Sequence, residues 1–523
     1  MEKIIEDVDF DQSISPYLDL SELLSPLLAL PRNLNRQITG LSVNSRRIKP
    51  GYVFFALPGF GSIDGRDFIQ DAVVSGAAAI VSDIAANDSV KTSLIMPPGE
   101  AKTVVPHIQV PNLRAKLGSV AAIYYGYPTR QMQVVGVTGT NGKTTVTTIL
   151  AKALDRLKTK VGFIGTHGVG SDLDRLTKTQ MTTPEPFELQ SYMQKLLHQN
   201  CEGVMMEVSS HAIAQHRVVG VEFDTVVLTN VSRDHLDYHR DLDDYIQTKE
   251  RLFQSYQANH IVLNLDDQIG IKLAAQLTKK RKVIGYSTRG LKLDDCHVIR
   301  GCQIRATPTD LSMVVVYGKH KRALQTNMIG DFNVSNLLAV IATLVSLGYD
   351  FQDAVDSLQN ISAVGGRMEM ITAGSKRPVV VIDYAHSPSA LEAVLVNLRQ
   401  SCRRRLICVF GCGGNRDQGK RKLMGKIAET HADCVILTDD NPRGESPKKI
   451  ITDILKGFLC PWAVEVVHDR TDAIMKAIND AMPGDIILIA GKGNESYQIV
   501  GDQKTIFSDR EKAEFLLNLK DES

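Results

Sequence analysis

The chain has 523 residues and a net charge of +1, from 60 basic and 59 acidic side chains, and 43% of its residues are hydrophobic. These proportions are typical of a soluble globular protein, and the balanced charge gives no electrostatic reason to expect binding to nucleic acid or to a membrane surface. Residues 1–12 are acidic and lack the apolar core of a secretory signal, and no apolar run approaches the ~18 residues that span a bilayer, so we expect a cytoplasmic protein.

The order of apolar runs predicts an α/β protein, and the chain length predicts about three domains at ~100–200 residues each. Residues 1–130 alternate short apolar runs with glycine and proline, as in a small mixed α/β domain. Residues 131–362 alternate strand-like runs with amphipathic helices, which predicts a parallel sheet covered on both faces. Residues 363–523 repeat this alternation, and their polar clusters follow strands, where open α/β sheets bind ligands.

A glycine-rich segment between a predicted strand and a predicted helix reads Gly-Thr-Asn-Gly-Lys-Thr-Thr at residues 139–145. Gly139 and Gly142 allow backbone N–H groups to curl around phosphate oxygens. Lys143 can place a charge near the β and γ phosphates, and Thr144 can offer a hydroxyl to Mg²⁺. Two residues separate the glycines, whereas four do so in the common phosphate loop, and a glycine turn capping a helix is the alternative. The strand–lysine–helix context favours phosphate binding.

The segment VTGTNGKTT resembles the ATP loop of the Mur ligase family, which has this shortened form. Further segments resemble the same family in the same order: MEVSSHAIAQHRV, TNVSRDHLDYH, GDFNVSN, GGRME, VIDYAHSP, FGCGGNRDQGKR, TDDNPR and AGKGNE. Together they are most similar to the branch that adds meso-2,6-diaminopimelate to UDP-N-acetylmuramoyl-L-alanyl-D-glutamate in peptidoglycan synthesis. The resemblance implies amide formation through an acyl phosphate, with ATP converted to ADP and phosphate by a monomer acting on small molecules.

The resemblance also implies a domain assignment: a UDP-binding domain over residues 1–130, an ATPase domain over 131–362 and a Rossmann-like amino-acid-binding domain over 363–523. Family motifs place the ATP contacts at Gly139, Thr140, Asn141, Gly142, Lys143, Thr144, Thr145, Asn333, Asn336, Arg367 and Asp383. They place the UDP-muramoyl dipeptide contacts at Val43, Ser45, Thr182, Thr183, Ser209, Gln215 and Arg217. They place the diaminopimelate contacts at Arg416, Asp440, Asn441, Pro442, Arg443, Gly491 and Glu495. From the residues alone, Asn333 could equally be the N-cap of a helix.

By resemblance, Lys143 acts in catalysis together with a set of magnesium ligands: Thr144, Glu207, His235 and a carbamylated Lys249. Without the family, Glu207 could equally be a surface carboxylate at a strand end, and Lys249 is typical of a solvated lysine beside Glu250. His235 and His239 stand at the i, i+4 spacing of a zinc site on a helix. The phosphate loop argues for magnesium, and a structural role is favoured for His239.

Other functions were compared with this hypothesis. A lysine-adding ligase differs in the amino acid that it accepts, and a folylpolyglutamate synthase would share GTNGKT but lack the DNPR cluster. A nucleotide switch or motor would need a longer phosphate loop, and a non-catalytic binder would not need the lysines and carboxylate named above. We expect Arg443 to select diaminopimelate by binding the carboxylate that lysine lacks, and the alternative is that it only caps the loop or pairs with Glu445.

Overall fold

The computed structural model describes residues 18–59, 64–97, 104–179, 181–307, 310–374 and 377–519, except the side chain at 519. The expectation about residues 1–12 therefore lies outside the described residues. The strands are β1 Leu18–Asp19, β2 Gln37–Ile38, β3 Gly40–Ser42, β4 Tyr52–Ala56, β5 Ala79–Ile84, β6 Lys91–Ile95, β7 Val105–Pro111, β8 Gln133–Thr138, β9 Val161–Gly165, β10 Gly168–Gly170, β11 Gly203–Glu207, β12 Phe223–Leu228, β13 Ala258–Asn264, β14 Lys282–Ser287, β15 His297–Ala306, β16 Leu311–Tyr317, β17 His320–Thr326, β18 Glu369–Ile371, β19 Val379–Asp383, β20 Leu406–Phe410, β21 Cys434–Leu437, β22 Glu465–Val466, β23 Ile486–Ala490, β24 Tyr497–Val500 and β25 Gln503–Ile506.

The helices alternate with these strands through most of the chain. They are α1 Leu20–Leu23, α2 Ile69–Val74, α3 Leu117–Tyr124, α4 Lys143–Arg156, α5 Pro186–His198, α6 Ser210–Ala214, α7 Leu242–Gln254, α8 Gln268–Leu277, α9 Phe332–Ser346, α10 Phe351–Asp356, α11 Pro388–Ser401, α12 Gly419–His431, α13 Pro447–Leu455, α14 Arg470–Asp480 and α15 Asp509–Leu519. Within the described ranges, none of these helices combines the length and apolar character needed to cross a membrane.

The chain divides into two compact units. The first contains residues 1–136 and 159–224, and the second contains residues 137–158 and 225–523. The boundaries fall inside β8 and β12, so both strands contribute residues to each unit.

The first unit contains a five-stranded sheet in the order β3-β4-β5-β7-β6, parallel except for β6. Its apolar runs are buried on both faces, as expected of parallel strands. Helix α5 packs against this sheet, where Phe187 meets Phe55 edge to face at a centroid distance of 5.1 Å. A second group of strands in this unit has the order β10-β9-β11, and β11 ends at Glu207.

The sequence predicted a parallel sheet for this part of the chain. The sheet of residues 225–344 in the second unit is instead parallel only in part. Strands β13, β14 and β15 are parallel neighbours, but β15, β16 and β17 form an antiparallel meander. A turn at residues 318–319 connects β16 to β17, so the chain reverses there, whereas a parallel pair would need a crossover helix. The alternating burial of β16 also differs from the continuous burial of Ile261–Asn264 at the end of β13.

The outer edge of β17 is covered by a segment that is not itself a strand. The side-chain amide of Gln359 accepts a hydrogen bond from the Gln325 N–H at 3.0 Å and donates to the Ala323 carbonyl at 2.8 Å. The Asn360 N–H donates to the Gln325 carbonyl at 2.8 Å, which extends the same pattern.

The carboxyl-terminal part of the second unit is a six-stranded sheet in the order β18-β19-β23-β20-β21-β22, parallel except for β18. Apolar clusters cover both of its faces. The segments that follow β19, β20, β21 and β23 carry the polar motifs, so they emerge at one edge of the sheet. In the chain, β23 is followed by the hairpin of β24 and β25.

Candidate active site

The glycine-rich segment lies between β8 and α4, in the second unit, as the sequence predicted. Gly139 and Gly142 have φ angles of +151° and +87°, which a side chain would strain. A Cβ at Gly142 would lie 2.6 Å from Asn336 Oδ1, so the loop approaches α9 closely. The N–H groups of Thr140 and Asn141 donate to the backbone oxygen and side-chain oxygen of Asn230, at 2.8 and 3.0 Å. The loop is therefore held by the segment after β12.

Two lysines share one carbonyl of this loop. Lys143 Nζ donates to the Gly139 oxygen at 2.8 Å and to the Thr140 oxygen at 2.9 Å. Lys249 Nζ, from α7, donates to the same Gly139 oxygen at 2.9 Å. Two amines are thus concentrated at the start of the phosphate loop, where a polyanion would be stabilised.

Lys249 is buried, with 1% of its surface exposed, so the solvated surface lysine favoured by its local sequence is wrong. Its Nζ lies 4.7 Å from the centroid of the Tyr245 ring. Burial lowers the pKa of Lys249 well below its usual value, and the charge of Lys143 lowers it further. The amine is therefore available in its neutral, nucleophilic form at lower pH than an exposed lysine would be.

Asn333 and Asn336 lie on the first turns of α9 and are both buried. The cap position of α9 belongs to Asp331, so the reading of Asn333 as an N-cap is wrong. Asn333 donates through Nδ2 to the Ile329 carbonyl at 2.7 Å, and its Oδ1 accepts from Asn336 Nδ2 at 2.9 Å. The side chains of Asn333 and Asn336 are thus hydrogen-bonded to each other, and Asn336 lies beside Gly142.

Arg367 and Asp383 come from the carboxyl-terminal part of the second unit. Arg367 Nη2 donates to the Thr144 hydroxyl at 3.2 Å, and its guanidinium lies 4.3 Å from the Tyr384 ring centroid. Its Nε is buried and has no hydrogen-bond partner among the residues that the structure describes. Asp383 is buried, accepts from the Met368 N–H at 2.8 Å, and has its pKa raised by that burial. Both motifs therefore reach the region of the phosphate loop.

His235 lies in a turn with a φ of +55°, and not on a helix, so the i, i+4 zinc arrangement is absent for this pair. Its Nε2 is 3.6 Å from Asp234, and His386 Nε2 is 3.7 Å from the same carboxylate. Asp234 is buried, which opposes ionisation, but the hydrogen bond from His386 and the nearby positive charges lower its pKa. His239 is buried and packs against Tyr245 at a ring distance of 5.2 Å.

The predicted amino-acid site centres on the loops after β21 and β23. Asn441 Nδ2 donates to Glu495 Oε2 at 2.9 Å, and the backbone N–H of Ile499 donates to Asn441 Oδ1 at 2.9 Å. Gly491 has a φ of +115°, and a Cβ there would lie 2.7 Å from Asp440 Oδ2. The structure therefore brings four of the predicted residues together, as two contacting pairs.

Arg443 has a left-handed backbone, with a φ of +51°, that the β24–β25 hairpin holds in place. Its N–H donates to the Ile499 oxygen at 3.1 Å, and its carbonyl accepts from Gly501 at 2.8 Å. Its guanidinium donates to the carbonyls of Gly414 and Asn441 at 3.1 and 3.4 Å. Across the described ranges, no carboxylate lies within 4.0 Å of it, and Glu445 is paired elsewhere.

The other two predicted contacts flank this loop. Pro442 is buried and accepts the Glu445 N–H through its carbonyl at 3.1 Å. Arg416 is exposed, and its Nη1 lies 3.8 Å from the Asp237 carboxylate in the segment that contains His235. The predicted amino-acid and nucleotide motifs of the second unit are thus adjacent.

Glu207, in the first unit, is completely buried, so its reading as a surface carboxylate is wrong. Its Oε1 accepts the Thr166 N–H at 2.8 Å, and its Oε2 accepts the Thr166 hydroxyl at 3.1 Å. The Thr166 hydroxyl also lies 3.1 Å from the Thr182 hydroxyl. The predicted metal ligand and a predicted substrate contact therefore belong to one polar cluster.

The cluster continues through the remaining predicted dipeptide contacts of the first unit. The Thr183 hydroxyl donates to the Glu207 carbonyl at 2.9 Å and accepts the Ser209 N–H at 3.1 Å. Arg217 donates to the Thr183 carbonyl at 3.0 Å and to the side chain of Gln215. Val43 is exposed and Ser45 half-buried, at a 3₁₀ turn after β3 in the same unit.

Four residues of these clusters were missed by the sequence analysis: Thr166, Glu185, Asp234 and Lys492. Glu185 forms an ion pair with Arg217 at 3.0 Å. Lys492 is completely buried and lies 3.1 Å from Glu495. Lys492 is the lysine of the AGKGNE motif, so the motif could have drawn attention to it. Its burial could not be predicted, because an isolated lysine gives no sign of burial.

Comparison with known proteins identifies what this arrangement resembles. Three family profiles match the chain: "Mur ligase family, catalytic domain" over residues 37–125, "Mur ligase middle domain" over 137–344 and "Mur ligase, glutamate ligase domain" over 366–493. These three spans include most of the predicted site residues.

Curated relatives and solved structures agree with the profiles. UDP-N-acetylmuramoyl-L-alanyl-D-glutamate--2,6-diaminopimelate ligases from Coxiella burnetii and Chromobacterium violaceum are 42% and 43% identical, over 91% and 93% of this chain and 95% of each relative. A solved structure of a ligase with that name is 30% identical, with a TM-score of 0.67, and the match covers 97% of this chain and all of the other. The Thermotoga maritima MurF ligase in complex with ADP shares the fold, with a TM-score of 0.60 at 17% identity over 94% of this chain and 100% of that one.

Proposed function

The chain belongs to the Mur ligase family and has its three-domain architecture, and from this premise we propose that it joins meso-2,6-diaminopimelate to UDP-N-acetylmuramoyl-L-alanyl-D-glutamate. ATP would drive amide formation, as a step of peptidoglycan precursor synthesis. We place the domain boundaries at 130/131 and 362/363, close to the limits of the profile matches. The proposal includes a cytoplasmic monomer that acts on small molecules and binds neither nucleic acid nor membrane.

The chemistry requires activation of a carboxylate, which its negative charge protects from an attacking amine. Transfer of the γ-phosphoryl group of ATP gives an acyl phosphate, and the amine of diaminopimelate then displaces phosphate through a tetrahedral intermediate. Lys143 would neutralise charge on the transferring group, and Arg367, which contacts the Thr144 hydroxyl of the same loop, would do so as well. The buried, unpartnered Nε of Arg367 supports this role, because a desolvated guanidinium donor favours an anion.

Magnesium is proposed as the cofactor because two of the predicted ligands, one in each unit, carry hard oxygen atoms. Thr144 offers a buried hydroxyl and Glu207 a buried carboxylate, both suited to Mg²⁺. When bound, the ion would neutralise phosphate charge during transfer. His235 is proposed as a further ligand from its family position.

The carbamate proposed at Lys249 is supported by burial. Carbon dioxide adds only to a neutral amine, and burial lowers the pKa of Lys249 in the required direction. A carbamate would place an anion beside the Lys143 ammonium, which adds an attraction and provides an oxygen ligand.

Diaminopimelate is favoured over the lysine-adding alternative by one observation. The guanidinium of Arg443, held by the carbonyl oxygens of Gly414 and Asn441, has no carboxylate within 4.0 Å in the described ranges. A guanidinium in this state can donate hydrogen bonds to the distal carboxylate of diaminopimelate, which lysine lacks. A folylpolyglutamate synthase shares the fold of this chain. That function is disfavoured because this chain carries the DNPR cluster, which such a synthase would lack.

The decisive test is an assay of phosphate release with ATP and the UDP-muramoyl dipeptide, run with diaminopimelate, with lysine and with no amino acid. We expect release that depends on diaminopimelate, with formation of the tripeptide product. Equal or faster release with lysine would favour the lysine-adding alternative, and no release with any amino acid would overturn the proposal.

A further inference from the structure

Lys492 is a completely buried lysine in the loop that follows β23. Its Nζ donates to Glu495 Oε2 at 3.1 Å and to Asn441 Oδ1 at 3.1 Å, and it lies 3.8 Å from Asp440 Oδ1. A buried ammonium is stable only when charges and hydrogen bonds compensate for lost water. All three of its partners belong to the predicted amino-acid site, so the site and the buried charge depend on each other.

These contacts use the two carboxylate oxygens of Glu495 unequally. Oε2 accepts from both Lys492 Nζ and Asn441 Nδ2, at 3.1 and 2.9 Å. In the part of the chain that the structure describes, no donor is bonded to Oε1. The Glu495 side chain is 18% exposed, whereas that of Lys492 is not exposed at all. One oxygen is therefore anchored inside the protein, and the other is left to accept a ligand.

Asn441 is engaged in the same network. Its Oδ1 accepts from Lys492 Nζ and from the Ile499 N–H, while its Nδ2 donates to Glu495. The residue is 2% exposed. The side-chain amide of Asn441 therefore connects the loop after β21 to the loop after β23. A displacement of one loop would change the hydrogen bonds of the other.

We propose that Lys492 is a positioning residue of the amino-acid site. It holds Glu495 Oε2, directly and through Asn441, so that Oε1 accepts a hydrogen bond from an ammonium group of the amino-acid substrate. This inference rests on the proposed function. The alternative is that Lys492 only stabilises the turn at residues 491–495, without any effect on substrate binding.

Kinetics of Lys492→Met distinguish the two roles, because methionine keeps the length of the side chain but removes the charge and the donors. We expect the KM for diaminopimelate to rise at least ~10-fold, since loss of one partner of a buried charge pair is strongly unfavourable. The KM values for ATP and the UDP-muramoyl dipeptide should change less than about twofold. A matched control is Lys504→Met, because Lys504 is exposed, lies 4.1 Å from the Tyr497 ring centroid and has no carboxylate within 4.0 Å among the residues that the structure describes. It should behave as wild type.

A double-mutant cycle with Glu495→Gln supplies the second readout. If Lys492 acts through Glu495, Lys492→Met should add little once Glu495 is neutral, so the two effects on kcat/KM should be non-additive. Additive effects, or an unchanged KM for diaminopimelate in folded Lys492→Met, would overturn the inference. So would an equal rise in all three KM values.

Lys492→Gln covers the case in which Lys492→Met does not fold, because glutamine retains an uncharged donor. It should give an intermediate KM for diaminopimelate, and a wild-type value would contradict the inference. Wild-type enzyme without amino-acid-dependent phosphate release would instead contradict the proposed function, so the two failures are distinguishable.

Discussion

The buried guanidinium of Arg421 forms a bidentate ion pair with the half-buried Glu445, with Nη1 to Oε1 at 2.8 Å and Nη2 to Oε2 at 2.7 Å. Because both oxygens of Glu445 are occupied, this carboxylate does not neutralise Arg443, two residues earlier in the chain. The alternative in which Arg443 pairs with Glu445 is therefore wrong. The guanidinium of Arg443 keeps its capacity to bind a carboxylate from the substrate.

Replacement of Arg443 by alanine should reduce kcat/KM for diaminopimelate by ~10²-fold or more while changing the poor use of lysine little. A site built around a desolvated guanidinium rejects an analogue that leaves it unpaired. Steady-state kinetics with both amino acids measure the effect, and Arg403→Ala, an exposed arginine of the same part of the chain, is the control. Equal weakening of both substrates would contradict a selective role.

Replacement of Lys143 by alanine should reduce turnover by ~10²–10³-fold or more without unfolding the protein. The reason is the loss of positive charge at the transferring phosphoryl group, while the loop keeps its bonds to Asn230. ATP-dependent product formation and thermal unfolding should be measured together. Exposed Lys280→Ala is the control, and near-normal ligation by Lys143→Ala would refute the loop assignment.

Lys249→Ala should be inactive, and added formate or acetate should restore part of the activity. The small acid would occupy the volume of the missing carbamate and supply its oxygen atoms. Wild-type protein supplied with ¹³C-labelled bicarbonate should also show a carbamate carbon signal by NMR that Lys249→Ala lacks. An unmodified Lys249 in a fully active enzyme would contradict the prediction.

Acid stability should report the Arg421–Glu445 pair. The hydrogen bond from Arg421 lowers the pKa of Glu445 from an ordinary 4.5 to about 2. A lowered folded-state pKa means that the pair stabilises the protein fully above pH 4.5 and loses that contribution as the pH falls towards 2. The difference in unfolding free energy between wild type and Glu445→Gln should therefore shrink over this interval. A difference independent of pH would contradict the assignment.

Local sequence predicted the elements that depend on local pattern. The strand–loop–helix at Gly139–Thr145 and the alternating elements of the carboxyl-terminal sheet follow from apolar periodicity and glycine placement. The burial of single polar residues could not be predicted from these patterns. Lys249 lies on an amphipathic helix rich in charge, and only packing against the phosphate loop removes it from water. The same holds for Glu207 and Lys492.

The antiparallel strands β15 to β17 were missed for a different reason. Short apolar runs with alternating exposure do not reveal the direction of pairing, which is decided by the length of the connections. The predicted substrate contacts came from family motifs, and the roles of Val43 and Ser45 stay predictions.

The amide of Gln359 imitates a peptide group of a neighbouring strand. It provides one acceptor and one donor, and it uses both on the outer edge of β17. An open edge is a template on which another chain can add a strand, and such addition leads to aggregation. Together with the Asn360 N–H, which donates to the Gln325 carbonyl, this glutamine occupies backbone groups of β17 to which a strand of another chain could otherwise bind.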